Sequence, residues 1–234
     1  MKMPSPKNSQ GFTLVELMIT VLLAGLLMTA IYSVYRTTRR VHTNQLVITE
    51  MQQNIRAAMG FIVEDLRMAG FDPAGSANAG FCTATAGQVQ FTQDLNESGT
   101  VPACGAGGQP NENITLGFSL ADDAGADGVA DSGGASFGRN VNGGGFQPIA
   151  EDIAAVEFTY ILADESSTPT PNAAQMDNIV KVQVSMLARA NRADPEFTDN
   201  RIYTTASGNT WGPFPDHFRR RLLITTVHCR NLGS

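Results

Sequence analysis

The sequence is poor in aromatic and charged side chains. Phe, Trp and Tyr make up 7% of its 234 residues, with a single Trp, and Asp, Glu, Lys and Arg together make up 16%. Cations are in the minority, 16 Lys and Arg against 22 Asp and Glu, for a formal net charge of −6. A general nucleic-acid binder would carry a basic face, so nucleic acid is not expected as a partner. Only three His and three Cys occur, without the close pairing that zinc ligands need. One long apolar run rather than several excludes a polytopic membrane protein. The apolar content of 42% excludes a chain disordered throughout.

What is present is concentrated near the start. Phe12 to Tyr35 is a run of 24 residues whose only charge is Glu16. At about 1.5 Å per residue it reaches about 36 Å as a helix, enough for a hydrocarbon core of about 30 Å. Lys2 and Lys7 precede it in a polar stretch that reads as a targeting front. The run passes through Ile31-Tyr32-Ser33-Val34-Tyr35 into Arg36, Arg39 and Arg40, with no small-residue site for removal of the apolar stretch. Basic residues flank both ends, so the charge rule does not orient the span.

Gly11-Phe12-Thr13-Leu14-Val15-Glu16, continued by Leu17-Met18-Ile19-Thr20, resembles the class III signal of type IV prepilins and type II secretion pseudopilins. The resemblance implies that a prepilin peptidase cuts between Gly11 and Phe12, that 1–11 is a leader, and that Phe12 becomes the N-methylated first mature residue. Glu16 would then be the fifth. An ionised carboxylate in lipid needs a partner; the resemblance supplies one, the new α-amine of a neighbouring subunit, whose pairing with Glu16 would select an axial register during assembly. The plain alternative is a Glu at the membrane edge of an ordinary signal anchor.

Beyond the span, Val41, Ile48, Met51, Ile55, Met59, Ile62 and Leu66 recur at helical spacings, with Gln45, Glu50, Gln53, Arg56 and Glu64 on other faces. This predicts an amphipathic continuation over 36–70, stopped by Gly70 and Pro73. If continuous from Phe12, the helix would span about 87 Å, with Gly25 a weak point and a junction near Thr37 and Thr38 the alternative. After Phe71 the composition turns to Gly, Ala, Asn, Asp and Thr. Alternation marks Ile179–Leu187 as the clearest strand, with Val89–Thr92, Ile114–Ser119, Val156–Leu162 and Leu222–Val227 as further strands. Loops are expected at 72–87, 94–112, 120–148 and 163–178. The expected fold is therefore α+β: a long N-terminal helix, with 12–35 the membrane and assembly half, packed against an antiparallel sheet head over 71–234, the arrangement the pilin resemblance implies.

Cys82, Cys104 and Cys229 permit one disulfide. Cys82 with Cys104 would close a loop-rich segment and stabilise it by about 3 kcal/mol; Cys229 is a competing partner or a buried thiol. The periplasm implied by the resemblance permits oxidation. The loop Asp122 to Asp131 could gather Asp123, Asp127 and Asp131 around calcium, although it lacks EF-hand spacing, and a solvated Asp-Gly turn explains the same letters. No other cofactor is expected. Gly134-Ala135-Ser136-Phe137-Gly138 matches G-x-S-x-G, and His217 and His228 follow it. The surrounding Gly, Asp and Asn read as a loop rather than the strand-to-helix elbow a hydrolase needs, so no enzyme is expected. His42 has no ligand partner nearby. Arg219-Arg220-Arg221 reads as a solvated strand entrance, with an electrostatic contact to a partner pilin or DNA as the alternative.

Arg36 to Arg40, Met51 to Ala58, Phe61-Ile62-Val63-Glu64-Asp65-Leu66-Arg67-Met68-Ala69-Gly70-Phe71 and the end from Arg219 to Leu232 are similar to the PilW group of minor pilins. That resemblance implies a subunit that primes type IV pilus assembly within a tip complex, with prepilin peptidase, other minor pilins, the major pilin, the inner-membrane assembly platform and a tip adhesin as partners. It also implies a single-pass inner-membrane protein with a periplasmic head that moves to the pilus tip and cell surface. A J-type type II secretion pseudopilin and a signal-anchored adhesion or binding domain are the alternatives.

Overall fold

The computed structural model describes residues 11–104 and 111–232. The leader expected over 1–11 lies, apart from Gly11, outside the described residues. The chain divides into two units, Met1–Leu46 and Val47–Ser234, each considered by itself.

The first unit consists of the N-terminal part of helix α1, which runs Leu14–Met68. Gly25, Thr37 and Thr38 are all helical. Phe12 to Tyr35 is exposed along its length, Leu17, Leu22, Leu26, Ile31 and Val34 included. The hydroxyls in this segment turn inward: Thr20, Thr29, Ser33 and Thr37 donate to carbonyls three or four residues back at 2.9–3.0 Å. A helix so arranged offers lipid a surface with its polar groups satisfied internally. It is long and apolar enough to cross a membrane.

In the second unit the burial of α1 follows the predicted stripe, with Met51, Ile55, Ala58, Met59, Ile62 and Leu66 buried. Val41, placed on that stripe by spacing, is exposed. The helix stops where Gly70 takes φ +73°, its amide donating to Thr92 O at 3.0 Å. Leu232 lies over Gly70 so closely that a Cβ there would collide with it. Only glycine meets both demands at that stop.

Among the described residues ten strands follow: β1 Phe81–Ala84, β2 Val89–Thr92, β3 Asn113–Gly117, β4 Ala135–Val141, β5 Phe146–Leu162, β6 Ser167–Thr168, β7 Ile179–Arg189, β8 Tyr203–Thr204, β9 Thr210–Trp211 and β10 Arg220–His228, with a one-turn helix α2 at Ala173–Met176 before β7. The main sheet has the order β1-β2-β3-β4-β5-β7-β10, with β6 on β5, and every pair is antiparallel. Val182, Val184 and Met186 pack into the main core with Ile55, Ile62 and Leu66 of α1. Leu187 points to the other face, where Ala155, Tyr203, Trp211, Phe214 and Leu222 form a second cluster. The segment 191–218, carrying the β8–β9 hairpin, thus covers the back of the sheet over β5 and β7.

Three loops expected from sequence are partly strand. The first holds β1, the fourth holds β6 and α2, and 120–148 holds β4 and the start of β5. In β5 the alternation is broken by Pro148 and by a bulge at Asp152, where φ is +55° and the register shifts between Ile153 and Ala155. Two consecutive pattern breaks made 17 residues of strand read as seven.

Candidate assembly site

The first turn of α1 is a closed hydrogen-bonded unit. Thr13 precedes the helix; its hydroxyl accepts from Glu16 N at 3.3 Å, while Glu16 Oε2 accepts from Thr13 N at 3.0 Å and from Thr13 Oγ1 at 2.9 Å. This is a capping box, satisfying amides that the helix leaves without carbonyl partners. The Thr-x-x-Glu spacing before an apolar run signals it in the sequence, a signal overlooked when Glu16 was read only as a charge awaiting a neighbour. Both bonds fall on Oε2, so the second carboxylate oxygen stays open to an outside donor. The Gly11-Phe12 junction lies one residue before the cap, exposed and outside the helix.

The remaining sequence candidates lie in the second unit. Cys82, in β1, is bonded to Cys104, with Cα atoms 5.4 Å apart. Cys229 is buried just after β10, and burial pushes its thiol pKa up to about 12. Asp123, Asp127 and Asp131 do not converge on an ion. Asp123 is buried and accepts from Asp127 N at 3.2 Å and Gly128 N at 2.8 Å; Asp127 accepts from Val129 N and Asp131 from Ala124 N. Their oxygens fold the turn, and among the described residues no group of three or more His, Cys, Asp or Glu is placed to hold a metal. The folded turn delivers Gly128, at φ +83°, against β5, where Val156 N donates to Gly128 O at 2.7 Å. A Cβ on Gly128 would strike the Val156 carbonyl.

Ser136 is not in a loop. It sits exposed as the second residue of β4, an antiparallel strand with no helix after it, which removes the nucleophile-elbow geometry. His217 is bonded to Phe197 O at 2.6 Å, and His228 ends β10 exposed.

Arg219-Arg220-Arg221 is the largest departure from the sequence reading. Arg220 is buried, its guanidinium bonding Asp216 at 2.6 and 2.7 Å, approaching Asp199 at 3.5 Å and lying 4.1 Å over the Phe214 ring. Arg219 bonds Asp194 at 2.8 Å and stacks on Phe197. Asp199 is fully buried and also accepts from Arg201 at 2.9 Å and the Tyr203 hydroxyl at 2.8 Å. Burial pulls its carboxyl pKa upward, but the bonds from Arg201 and Tyr203 and the Arg201 charge leave it below the usual carboxylate value. For Asp216 the Arg220 bonds dominate, also lowering it. Sequence reading missed this because Asp216 and Asp194 lie 4 and 25 residues from Arg220 and Arg219, separations without a strand's periodic signature.

Residues 6–32 match the prokaryotic N-terminal methylation motif. An apolar helix headed by that motif and followed by an antiparallel sheet defines the type IV pilin-like class. Residues 136–231, about two fifths of the chain, match the type IV pilus-assembly protein W family. Among solved structures it is similar to a type IV-like pilin, TTHA1219, from Thermus thermophilus, at 14% identity over 78% of this chain and 98% of that one, with a TM-score of 0.48. Comparison with curated proteins finds no match. A helix long and apolar enough to cross a membrane, headed by this motif, is the arrangement of membrane-anchored pilins.

Proposed function

We propose that this chain is a minor pilin that primes type IV pilus assembly within a tip complex of minor pilins. Prepilin peptidase cuts after Gly11 and the Phe12 amine is methylated. The subunit waits in the inner membrane with its head in the periplasm, and the assembly platform then moves it to the pilus tip, where it meets other minor pilins, the major pilin and an adhesin. The observation that carries this reading is Glu16: the only charge in the apolar span, seated on its first turn with one carboxylate oxygen held by Thr13 and the other open. Capping aims the carboxylate without consuming it. A neighbour's Phe12 amine can pair with the open oxygen in one axial register and neutralise a charge that lipid disfavours.

Glu16→Gln is the test, because Gln still completes a capping box but brings no charge. Membrane levels of the variant should match wild type, while its abundance in sheared pili relative to the membrane falls about tenfold or more, the loss expected with one charge-assisted bond. Mass spectrometry of the mature chain should find N-methyl-Phe12. Normal incorporation of the variant, an intact 1–11 segment in the active protein, or co-purification with secretion pseudopilins instead of minor pilins would each overturn the proposal.

A further inference from the structure

The two edges of the main sheet are finished differently. β1 has four residues and a register shift between Phe81 and Thr83, is tied through Cys82 to Cys104, and has α2 beside it. Such shortening, bulging and covering block further strand pairing. β10 closes the other edge with nine residues, pairing β7 without a register shift. From Leu222 to Val227 it carries no charge and no proline, the usual means of guarding a bare edge.

The register fixes which backbone groups are free. Ala190 N donates to Arg219 O and Cys229 N to Val180 O, so the odd-numbered residues of β10 turn their amides and carbonyls toward β7. Even-numbered residues turn theirs outward. Arg220 O confirms the parity, because the side chains of Arg201 and Tyr203 reach it from outside at 3.3 and 3.4 Å. Those two side chains close the edge at Arg220 and stop there. Leu222, Ile224 and Thr226 then present three amides and three carbonyls with no strand opposite them among the described residues. Ile224 is 42% exposed. At the Arg220 end lies a cavity of about 280 Å³ lined by Arg201, Arg219, Arg220 and Arg221 with Gln52 and Tyr203. Arg221 is exposed and makes no ion pair with the described residues.

We propose that the outer edge of β10 is an interaction surface that takes an extended strand from another protein, antiparallel to β10, apolar and β-branched along its length and acidic where it passes Arg221. Main-chain bonds to Leu222, Ile224 and Thr226 supply the pairing, and the arginine-lined cavity sets direction and selects against basic strands. A second copy of β10 is a poor occupant, since antiparallel self-pairing brings Arg220 and Arg221 beside Val227 and His228, with no acid at either end of the strand. This surface operates whether or not the chain enters a filament, so its failure and that of the Glu16 mechanism are separately readable.

The test is hydrogen exchange on the full-length chain in detergent micelles with a probe peptide, Val-Thr-Val-Thr-Val-Glu-Glu, and a control ending in Lys-Lys. The acidic peptide should slow exchange at Leu222, Ile224 and Thr226 at least tenfold at millimolar concentration, and the lysine peptide should not. Arg221→Glu should reverse that preference. Ile224→Pro removes an outward amide only and should abolish the protection while Leu223, Thr225 and Val227 stay protected by β7; where that variant unfolds, Ile224→Lys, which leaves the backbone intact, takes its place. No protection by the acidic peptide, equal protection by both peptides, or outward amides already protected by self-association of the free chain would each overturn the proposal.

Discussion

Asp199→Asn tests whether the buried charge network holds the back of the sheet. The side chain has no exposure and takes bonds from Arg201, the Tyr203 hydroxyl and, at longer range, Arg220. Asparagine keeps the shape and can still accept from Tyr203, but its amide nitrogen must then face guanidinium groups that also donate. Removing one member of a buried pair costs about 3–5 kcal/mol; Arg220 retains Asp216, which argues for the lower end, about 3 kcal/mol. For a domain of this size that lowers Tm by about 6–12 °C. The single tryptophan, Trp211, packs with Tyr203 and Phe214 in the affected cluster, so its fluorescence during urea unfolding of the full-length chain reads the loss directly. The pH dependence has a definite sign. The carboxyls of Asp199 and Asp216 lie below their ordinary value of 3.8 in the folded chain, so their contribution is complete above that pH and is lost as pH falls through the lower folded values. The wild type should therefore lose stability below about pH 4 more steeply than the variant. A cost under about 1 kcal/mol, the worth of an exposed pair, or identical acid profiles for the two proteins would refute the reasoning.

Breaking the disulfide with Cys82→Ser should lower head stability by about 3 kcal/mol on the loop-entropy model, measured by urea unfolding against the oxidised wild type. Cys229, buried with its pKa raised to about 12, should resist iodoacetamide at pH 8 in the folded chain and react once the chain is unfolded, which mass spectrometry of alkylated peptides reads. Calorimetric titration of the full chain with millimolar calcium should give no binding heat, because the oxygens of Asp123, Asp127 and Asp131 are committed to turn amides; a saturable heat lost in Asp127→Asn would reverse that assignment.

The parts legible in the sequence are those governed by short-range periodicity. The α1 stripe from Met51 to Leu66 and the strand β7 follow repeats of 3.6 and 2, because each buries one face against a continuous partner. β2 alternates Val89 and Phe91 with Gln90 and Thr92, a shorter instance of the same period. β4 was not, since Gly134 and Gly138 look like loop residues while serving close packing: a Cβ on Gly134 would meet the Arg189 guanidinium at 2.6 Å, and one on Gly138 the carbonyl of Gln147 at 3.0 Å. The arginine triplet misled for a related reason. Charge in a sequence signals solvent only when its partners are absent, and here Asp194, Asp199 and Asp216 return to it from the stretches flanking the β8–β9 hairpin. The N-terminal site was half legible: the residues stood out, and the cap that orients Glu16 did not.

The family match from 136 to 231 begins within β4 and ends just past β10. That range holds the longest strands and the arginine–aspartate network and contributes to the clusters on both sheet faces, where β5 and β7 are buried on two sides. A substitution there disturbs two layers at once. Residues 71–135 reach the same core through Val89 and Phe91 of β2 and Ile114 and Leu116 of β3, but their loops are secured by one disulfide and by carboxylates folding local turns. Such bonds leave the intervening loops free to change length and composition at little cost to the core. The loops of 71–135 are therefore expected to accept changes of length and sequence at less cost to stability than β5, β7 or β10, which urea unfolding of loop-shortened variants would measure.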